Sequence, residues 1–486
     1  MDFKEKIDKI VMDTASRCIR KITGAYGKRL QKNGSLPPIE KTAPQEITGE
    51  KFRLGFSREE IMPDLTKGKT YWIAGHGSGH KMEGVLTPVY VHAVWLDCGG
   101  DEGILWLSGD IVGLTNTEVE ILRSRILASA VIKGARSVNF SCTHSHSGVD
   151  TVGYWGKPTL KIPADGKDPD YMELLYKQSV RAAEKAFLSR TPGALYTGRI
   201  AVPGAFSTGR KFPDMHELLT RLRFVPDDGS EETWLLNTAA HPNTLGGDNR
   251  LLSGEYPFFL REQIKAETGA NVHFGVGALG GMDAADFDDG ERLDRIKEQA
   301  KLFADAAENI TEEQKLSPRI KFLRRQFYLP VDNNVLMLLA LRGTMSSTPY
   351  PCPTSATGAA TKTEMTYFDL GGQKILLLPG ENFVNTVYGG YEPAETSSTG
   401  LGPEVNPMPL AEIAGDKALI VYCVSNDFTG YVVPPNDFVL HPTQPYLDST
   451  HDRFDDNHYH ETNSMGPDTQ RVIAETFRAV TEDFGQ

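Results

Sequence analysis

From Phe52 onward, short apolar runs of strand type alternate with amphipathic runs of helix type, and this alternation restricts the chain more than any other feature. Val89 to Asp97, Ile104 to Ser108, Ser137 to Cys142, Trp234 to Ala239, Val272 to Phe274, Ile320 to Leu329, Lys374 to Leu378 and Leu419 to Val424 read as strands. Glu118 to Ala130, Tyr171 to Ser189, Phe258 to Glu267, Arg292 to Ala307, Val335 to Arg342 and Thr469 to Glu482 read as helices. Interleaving of this kind predicts an α/β fold of mixed β-sheets flanked by helices. No internal period stands out. At 486 residues and 40% hydrophobic, the chain is long enough to bury one large core.

Residues 2 to 30 place Phe3, Ile7, Ile10, Val11, Cys18, Ile19 and Ile22 at helical spacing. "KNGSLPPIEKTAPQ" follows and reads as a linker, because Pro37, Pro38 and Pro44 interrupt helix and ladder alike. Residues 1–48 are therefore expected to form a helical arm with its linker, and residues 49–486 a single large domain. The arm is basic, with nine Lys or Arg against four Asp or Glu between Met1 and Ser35. Such a helix can lie on a membrane. The weak bulk of its apolar face favours an arm packed on its own domain or on a second subunit, which would make a homo-oligomer. Ser346 to Lys362, rich in Pro, Ser, Thr and Ala, reads as a long loop.

The formal charge of −13 argues against nucleic acid or an anionic membrane as partner, and in favour of a small or neutral substrate. The five cysteines, Cys18, Cys98, Cys142, Cys352 and Cys423, are scattered and contain no CxxC pair, so they read as buried thiols in a reducing compartment. No run of about 18 apolar residues offers a transmembrane segment. The first residues also lack the apolar core of a signal peptide. The expected location is cytoplasmic.

Several of the apolar runs end in an isolated polar residue of metal-binding or acid–base type. "SCTHSHSGVDTVGYWG" places His144 and His146 two residues apart after a strand, and strand alternation would turn both imidazoles to one side. His241 follows "TWLLNTAA", Glu381 follows "KILLLPG", and Tyr431 follows "LIVYCVSNDFTG". In α/β sheets, ligands collect beyond strand ends. Imidazole and carboxylate suit Zn2+, and His144, His241 and Glu381 would form a catalytic site that leaves room for water.

"THSHSG", "AAHPNTLG", "LLLPGENF" and "VSNDFTGYVV", in that order, resemble the neutral, non-lysosomal ceramidases, zinc amidases that cleave the N-acyl bond of ceramide. The resemblance runs from about Phe52 to Pro467 and includes "FRLGFSREEIMPD" and "VYVHAVWLDCGGDEGILWLSGD". It implies zinc ligands at His144, His241, Glu381 and Tyr431, and an acid–base role for His146. It implies substrate positioning by Arg210 in "FSTGRKFPD", and a tyrosine facing the scissile carbonyl at Tyr459 in "NHYHETNSMG". The implied activity is hydrolysis of an amide by a zinc-activated water, on an N-acylated small molecule. Two departures stand out. Ala285 in "GGMDAADFDDG" replaces the serine of a Gly-Asp-x-Ser-Pro-Asn segment, and Phe428 replaces a tyrosine.

Other readings stay open beside this one. The same residues would serve an esterase or lactonase, and the loss of a hydroxyl at Ala285 would suit a non-catalytic metal-containing binding protein. "GVGALG" fits a dinucleotide fingerprint, but the acidic run after it would repel phosphate, so its glycines are read as allowing close backbone approach. Asp283 and Asp286 form an acidic turn or a second cation site. His76 and His80 lie in a glycine-rich loop that is either a substrate lid or a plain connection, and His92 and His273 are structural. The histidines of the tail, His441, His451, His458 and His460, are not counted as ligands.

Overall fold

The computed structural model describes residues 3–159, 161–211, 215–286 and 291–485. Its centre is a nine-stranded sheet. Its main path runs Asn271–Val276, Thr233–Thr238, Leu218–Pro226, Thr191–Ala201, Phe52–Glu60, Tyr90–Asp97, Gly103–Gly109 and Ala135–Cys142, and Glu313–Lys315 pairs off Thr191–Ala201. Both ends of that path are parallel pairs, Thr233–Thr238 with Asn271–Val276 and Gly103–Gly109 with Ala135–Cys142, whereas the middle is antiparallel. A six-stranded sheet contains Gln45–Thr48, Arg319–Val331, Ala359–Leu370, Gln373–Leu377 and Ile420–Tyr422, with Tyr350–Pro351 at its side.

Alternation along the strands explains why the two sheets stack. Val94, Leu96, Ile104 and Trp106 point one way and meet Phe322, Phe368, Ile375 and Tyr422 of the smaller sheet. Val91, Ala93, Trp95, Leu105 and Leu107 point the other way, into a second cluster capped by the helices Pro169–Leu188, Glu255–Thr268 and Arg292–Glu308. On the far side, Thr469–Gly485 lays Phe477 and Phe484 against Tyr367. The result is helices on the outside of two stacked mixed sheets, the α/β class expected. Each strand and helix read from the sequence has its counterpart.

Other details differ from the sequence reading. The segment expected to be a loop as far as Lys362 already joins the sheet at Ala359, where Val331 and Ala359 are partners, and Tyr350–Pro351 pairs within it. Its small residues are strand residues because they pack under neighbours, which composition alone does not show. Cys18 is exposed, on the outer side of the first helix, and the other four cysteines are buried. The glycines of "GVGALG" do permit close approach: a Cβ on Gly275 would strike the Tyr422 ring, and one on Gly280 would strike Phe383.

The N-terminal helix, Phe3–Asn33, packs on its own domain, against Asn334–Leu341. Thr23 Oγ1 donates to Asn334 Oδ1 at 2.6 Å, Ile19 is buried beneath it, and Gly27 lies flush against the Thr357 carbonyl. Gln45–Thr48 then pairs with Arg319–Val331. Among the described residues, no helix is long and apolar enough to cross a membrane.

His92, on Tyr90–Asp97, and His273, on the end strand Asn271–Val276 of the same sheet, are both fully buried. Burial, then the nearby Arg261 charge, pushes the His273 imidazole down to about 3. In the unfolded chain it would take up a proton near pH 6.5, so its folded form loses ground as pH falls through that value. His273→Phe is expected to gain about 2 kcal/mol over the native protein on going from pH 7 to pH 5, measured as the difference between denaturant melts. A difference that does not change with pH would contradict the assignment.

Candidate metal centre and its cavity

The two sheets are laced together at one rim. Cys142 N–H donates to the Val424 carbonyl at 3.1 Å, Cys423 N–H to Val276 at 2.9 Å and Asn426 N–H to Phe140 at 2.8 Å. The chain leaves four strands there at their carboxyl ends. Ala135–Cys142 leads to His144 and His146, Thr233–Thr238 to His241, Gln373–Leu377 to Glu381, and Ile420–Tyr422 to Tyr431.

The imidazoles of His144 and His146 do meet, though not through strand alternation. The strand ends at Cys142, and His144 takes a φ of +59°, a left-handed conformation that turns the chain back on itself. Nε2 of His146 then lies 3.1 Å from Nε2 of His144 and 3.0 Å from Nε2 of His241. Glu381 Oε2 is 3.3 Å from His144 Nε2 and 3.6 Å from His241 Nε2. Glu381 and Tyr431 are partners in a short parallel ladder, and the Tyr431 hydroxyl bonds the Glu381 carboxyl. All five side chains are buried.

The second ring nitrogens distinguish the histidines. His144 Nδ1 is 2.6 Å from the Val112 carbonyl, and His241 Nδ1 is 3.2 Å from the Met282 carbonyl. A carbonyl only accepts, so both Nδ1 atoms carry the proton and both Nε2 atoms present bare lone pairs to the cluster. Glu381 Oε2 is buried and has no hydrogen-bond donor. Bare nitrogens and a carboxylate oxygen facing one another fit a divalent cation. Ligands of a tetrahedral zinc lie about 3.3 Å apart, which the separations from Glu381 to His144 and His241 match. The carbonyls behind His144 and His241 are the partners that metal-bound imidazoles require. His146 differs from them, since its buried Nδ1 has no partner.

A cavity of about 420 Å³ opens on this cluster. Trp155, Leu336, Met345, Phe428 and Met465 form an apolar wall, and Phe428 stacks on His144 with ring centroids 5.9 Å apart. Tyr459, 40% exposed, also lines it with its ring edge toward Tyr431 at 6.3 Å, and the desolvation of its hydroxyl, together with the Asp283 and Glu381 charges, holds its phenol above the usual range.

Arg210 lies behind this wall. It does not line the cavity, being held by Glu461 Oε1 at 3.2 Å and placed beside His460, which stacks on Tyr459 at 3.9 Å. Ala285 does not line it either; its backbone N–H donates to Gln299 Oε1 at 3.0 Å.

Sequence reasoning did not place His76 or Asn243 at this cluster. His76 stands edge-on to His146 at 4.9 Å, and burial, then the His241 charge, pushes it down to about 4. Asn243, two residues after His241, donates to Asp283 Oδ1 at 2.7 Å. The glycines around His76 were the available signal: a Cβ on Gly75, at φ +110°, would overlap the His146 side chain.

Over 89% of its length the chain matches the crystal structure of neutral ceramidase from Pseudomonas aeruginosa, with a TM-score of 0.64, covering 75% of that chain. This is the neutral ceramidase fold. A ceramidase complexed with C2 matches with the same coverages at a TM-score of 0.65. Sequence identity to the two is 16% and 15%. No protein-family model matches the sequence, and no curated protein matches it.

The close fit of Gly75 against His146 yields a test. Gly75→Ala is expected to displace His146 and to destabilise the protein by about 1–3 kcal/mol, the usual cost of overpacking, measured by denaturant melts and a crystal structure. An unmoved imidazole at native stability would show that this contact does not hold it.

Proposed function

We propose that this chain is a metal-dependent hydrolase that cleaves the N-acyl bond of a small amide, with the chemistry of the ceramidases whose fold it shares. One observation carries the reading: His144, His241 and Glu381 converge, with bare acceptor atoms, on the floor of a cavity large enough for a ligand.

His144 Nε2, His241 Nε2 and Glu381 Oε2 would hold the ion, with Tyr431 beside them. Nitrogen and carboxylate donors in this number favour zinc. A zinc ion bound there supplies Lewis acidity, polarising an acyl carbonyl and lowering the pKa of water.

The remaining work falls to the protein's own side chains. His146 sits against both ligand imidazoles yet is tied by neither ring nitrogen to a carbonyl, so it is free to change its proton. It takes a proton from the attacking water and returns it to the departing amine. The Tyr459 phenol, kept protonated, donates a hydrogen bond to the oxyanion as the carbonyl carbon becomes tetrahedral. Arg210 supports this wall from behind through His460 and Tyr459, a positioning role in place of direct contact. The Trp155, Phe428 and Met465 surface receives the apolar acyl group. An ester would use the same groups. A binding protein without catalysis loses its motive, since Ala285 stands outside the cavity.

Metal analysis with a screen of acyl amides and esters tests the assignment. His146→Ala is expected to keep its metal and lose about 100- to 10,000-fold in turnover, whereas His241→Ala loses both. Full metal occupancy without turnover of any amide or ester would refute the enzyme reading. Unimpaired turnover in His146→Ala would remove that imidazole from the proton transfers.

A further inference from the structure

Glu255 opens the helix Glu255–Thr268 with a backbone φ of +54°, in the left-handed region that disfavours any residue with a side chain. It is fully buried. Its carboxyl leaves its own helix uncapped and faces two loops. Oε1 accepts a hydrogen bond from Ser147 Oγ at 2.7 Å, and Ser147 Oγ in turn accepts from Asn249 Nδ2 at 2.9 Å. The backbone amides of Thr244 and Leu245 lie beside the same carboxyl and favour its charged form. Ser147 follows His146, and Thr244 comes three residues after His241.

The surrounding backbone reinforces this junction. His146 N–H donates to the Pro242 carbonyl at 2.9 Å and Ser253 N–H to the Ser147 carbonyl at 2.9 Å. Ser145 Oγ donates to the Ser253 carbonyl at 2.8 Å, and Glu255 N–H to Ser253 Oγ at 3.1 Å. A buried acid on a disfavoured backbone persists only where its surroundings over-determine it. Here those surroundings are the loops that carry the three imidazoles.

We propose that Glu255 is a positioning residue for the metal centre: its carboxyl, with Ser147, clamps the loop bearing His144 and His146 to the loop bearing His241 and so fixes the spacing of the imidazoles. The inference rests on the metal reading given above. The clamp lies outside the metal's own ligands and beyond the partners that orient their rings. Burial pushes this carboxyl up to about 8, so near neutral pH the side chain is an uncharged acid, and glutamine is its close isostere.

The test uses the full chain and zinc alone as probe. Zinc affinity is measured by chelator competition, and the melting temperature of the metal-free protein is measured beside it. Glu255→Ala is expected to weaken zinc binding about 10- to 100-fold, the scale of losing an outer partner of a metal site. Glu255→Gln, which keeps an acceptor for Ser147, should restore most of that affinity. A merely structural glutamate would lower the melting temperature and leave zinc affinity unchanged, and that result overturns the proposal. Should Glu255→Ala not fold, Ser147→Ala decides: weakened zinc binding supports the clamp and native affinity overturns it. Should the native chain take up no zinc, the metal reading fails by itself. The clamp is then judged by a metal-free crystal structure of Ser147→Ala, where an unchanged 3.0 Å spacing of His146 and His241 overturns it and a widened one supports it.

Discussion

The structure depends on two sheets being stitched to each other at a single rim by main-chain hydrogen bonds. Stacked sheets ordinarily meet only through side chains, and side-chain packing tolerates small slips. Direct amide-to-carbonyl bonds between Cys142 and Val424, Cys423 and Val276, and Asn426 and Phe140 remove that freedom where four strands end. Groups drawn from distant parts of the chain therefore meet within hydrogen-bonding distance although no short motif joins them. The Ser141 and Ser425 hydroxyls, 2.7 Å apart, add a side-chain bond at the same seam.

Local strain is concentrated along this rim. His144, Glu255, Val424 and Asn426 all take positive φ without being glycine. Each such residue costs on the order of 1–3 kcal/mol, which a large buried core can absorb. Asn426 shows how: its side chain is spent on the Phe140 N–H at 2.9 Å and on Asn139 Oδ1 at 3.1 Å. At Asn426, strain and a hydrogen-bonded side chain go together.

Much of the architecture was legible in the sequence because strand and helix periods are local properties. The runs around Val94, Leu107 and Phe140 announced buried strands, and the helices at Tyr171 and Arg292 announced their apolar faces. Residues that end apolar runs announced which side chains gather at the rim, since His241, Glu381 and Tyr431 each follow one. What could not be read was anything set by a partner far along the chain. The strand beginning at Ala359 looks like loop because its small residues take their meaning from Val331 across the ladder. Arg210 looked like a group for substrate, and only the fold reveals Glu461 beside it. The left-handed turn at His144 has no signature in a threonine-histidine-serine sequence, so the convergence was foreseen by the wrong geometric route.

The docking of the first helix has a consequence for anyone handling this protein. That helix rests on Asn334–Leu341, and Leu336 of the latter faces the cavity. The apolar wall thus has two tiers here, with the outer one supplied by residues near the start of the chain. Trimming those residues, or burdening them with a bulky fusion partner, would reach the apolar wall of the cavity through a single intervening layer. Ligand binding in the cavity is therefore best measured on protein whose first thirty-odd residues are intact.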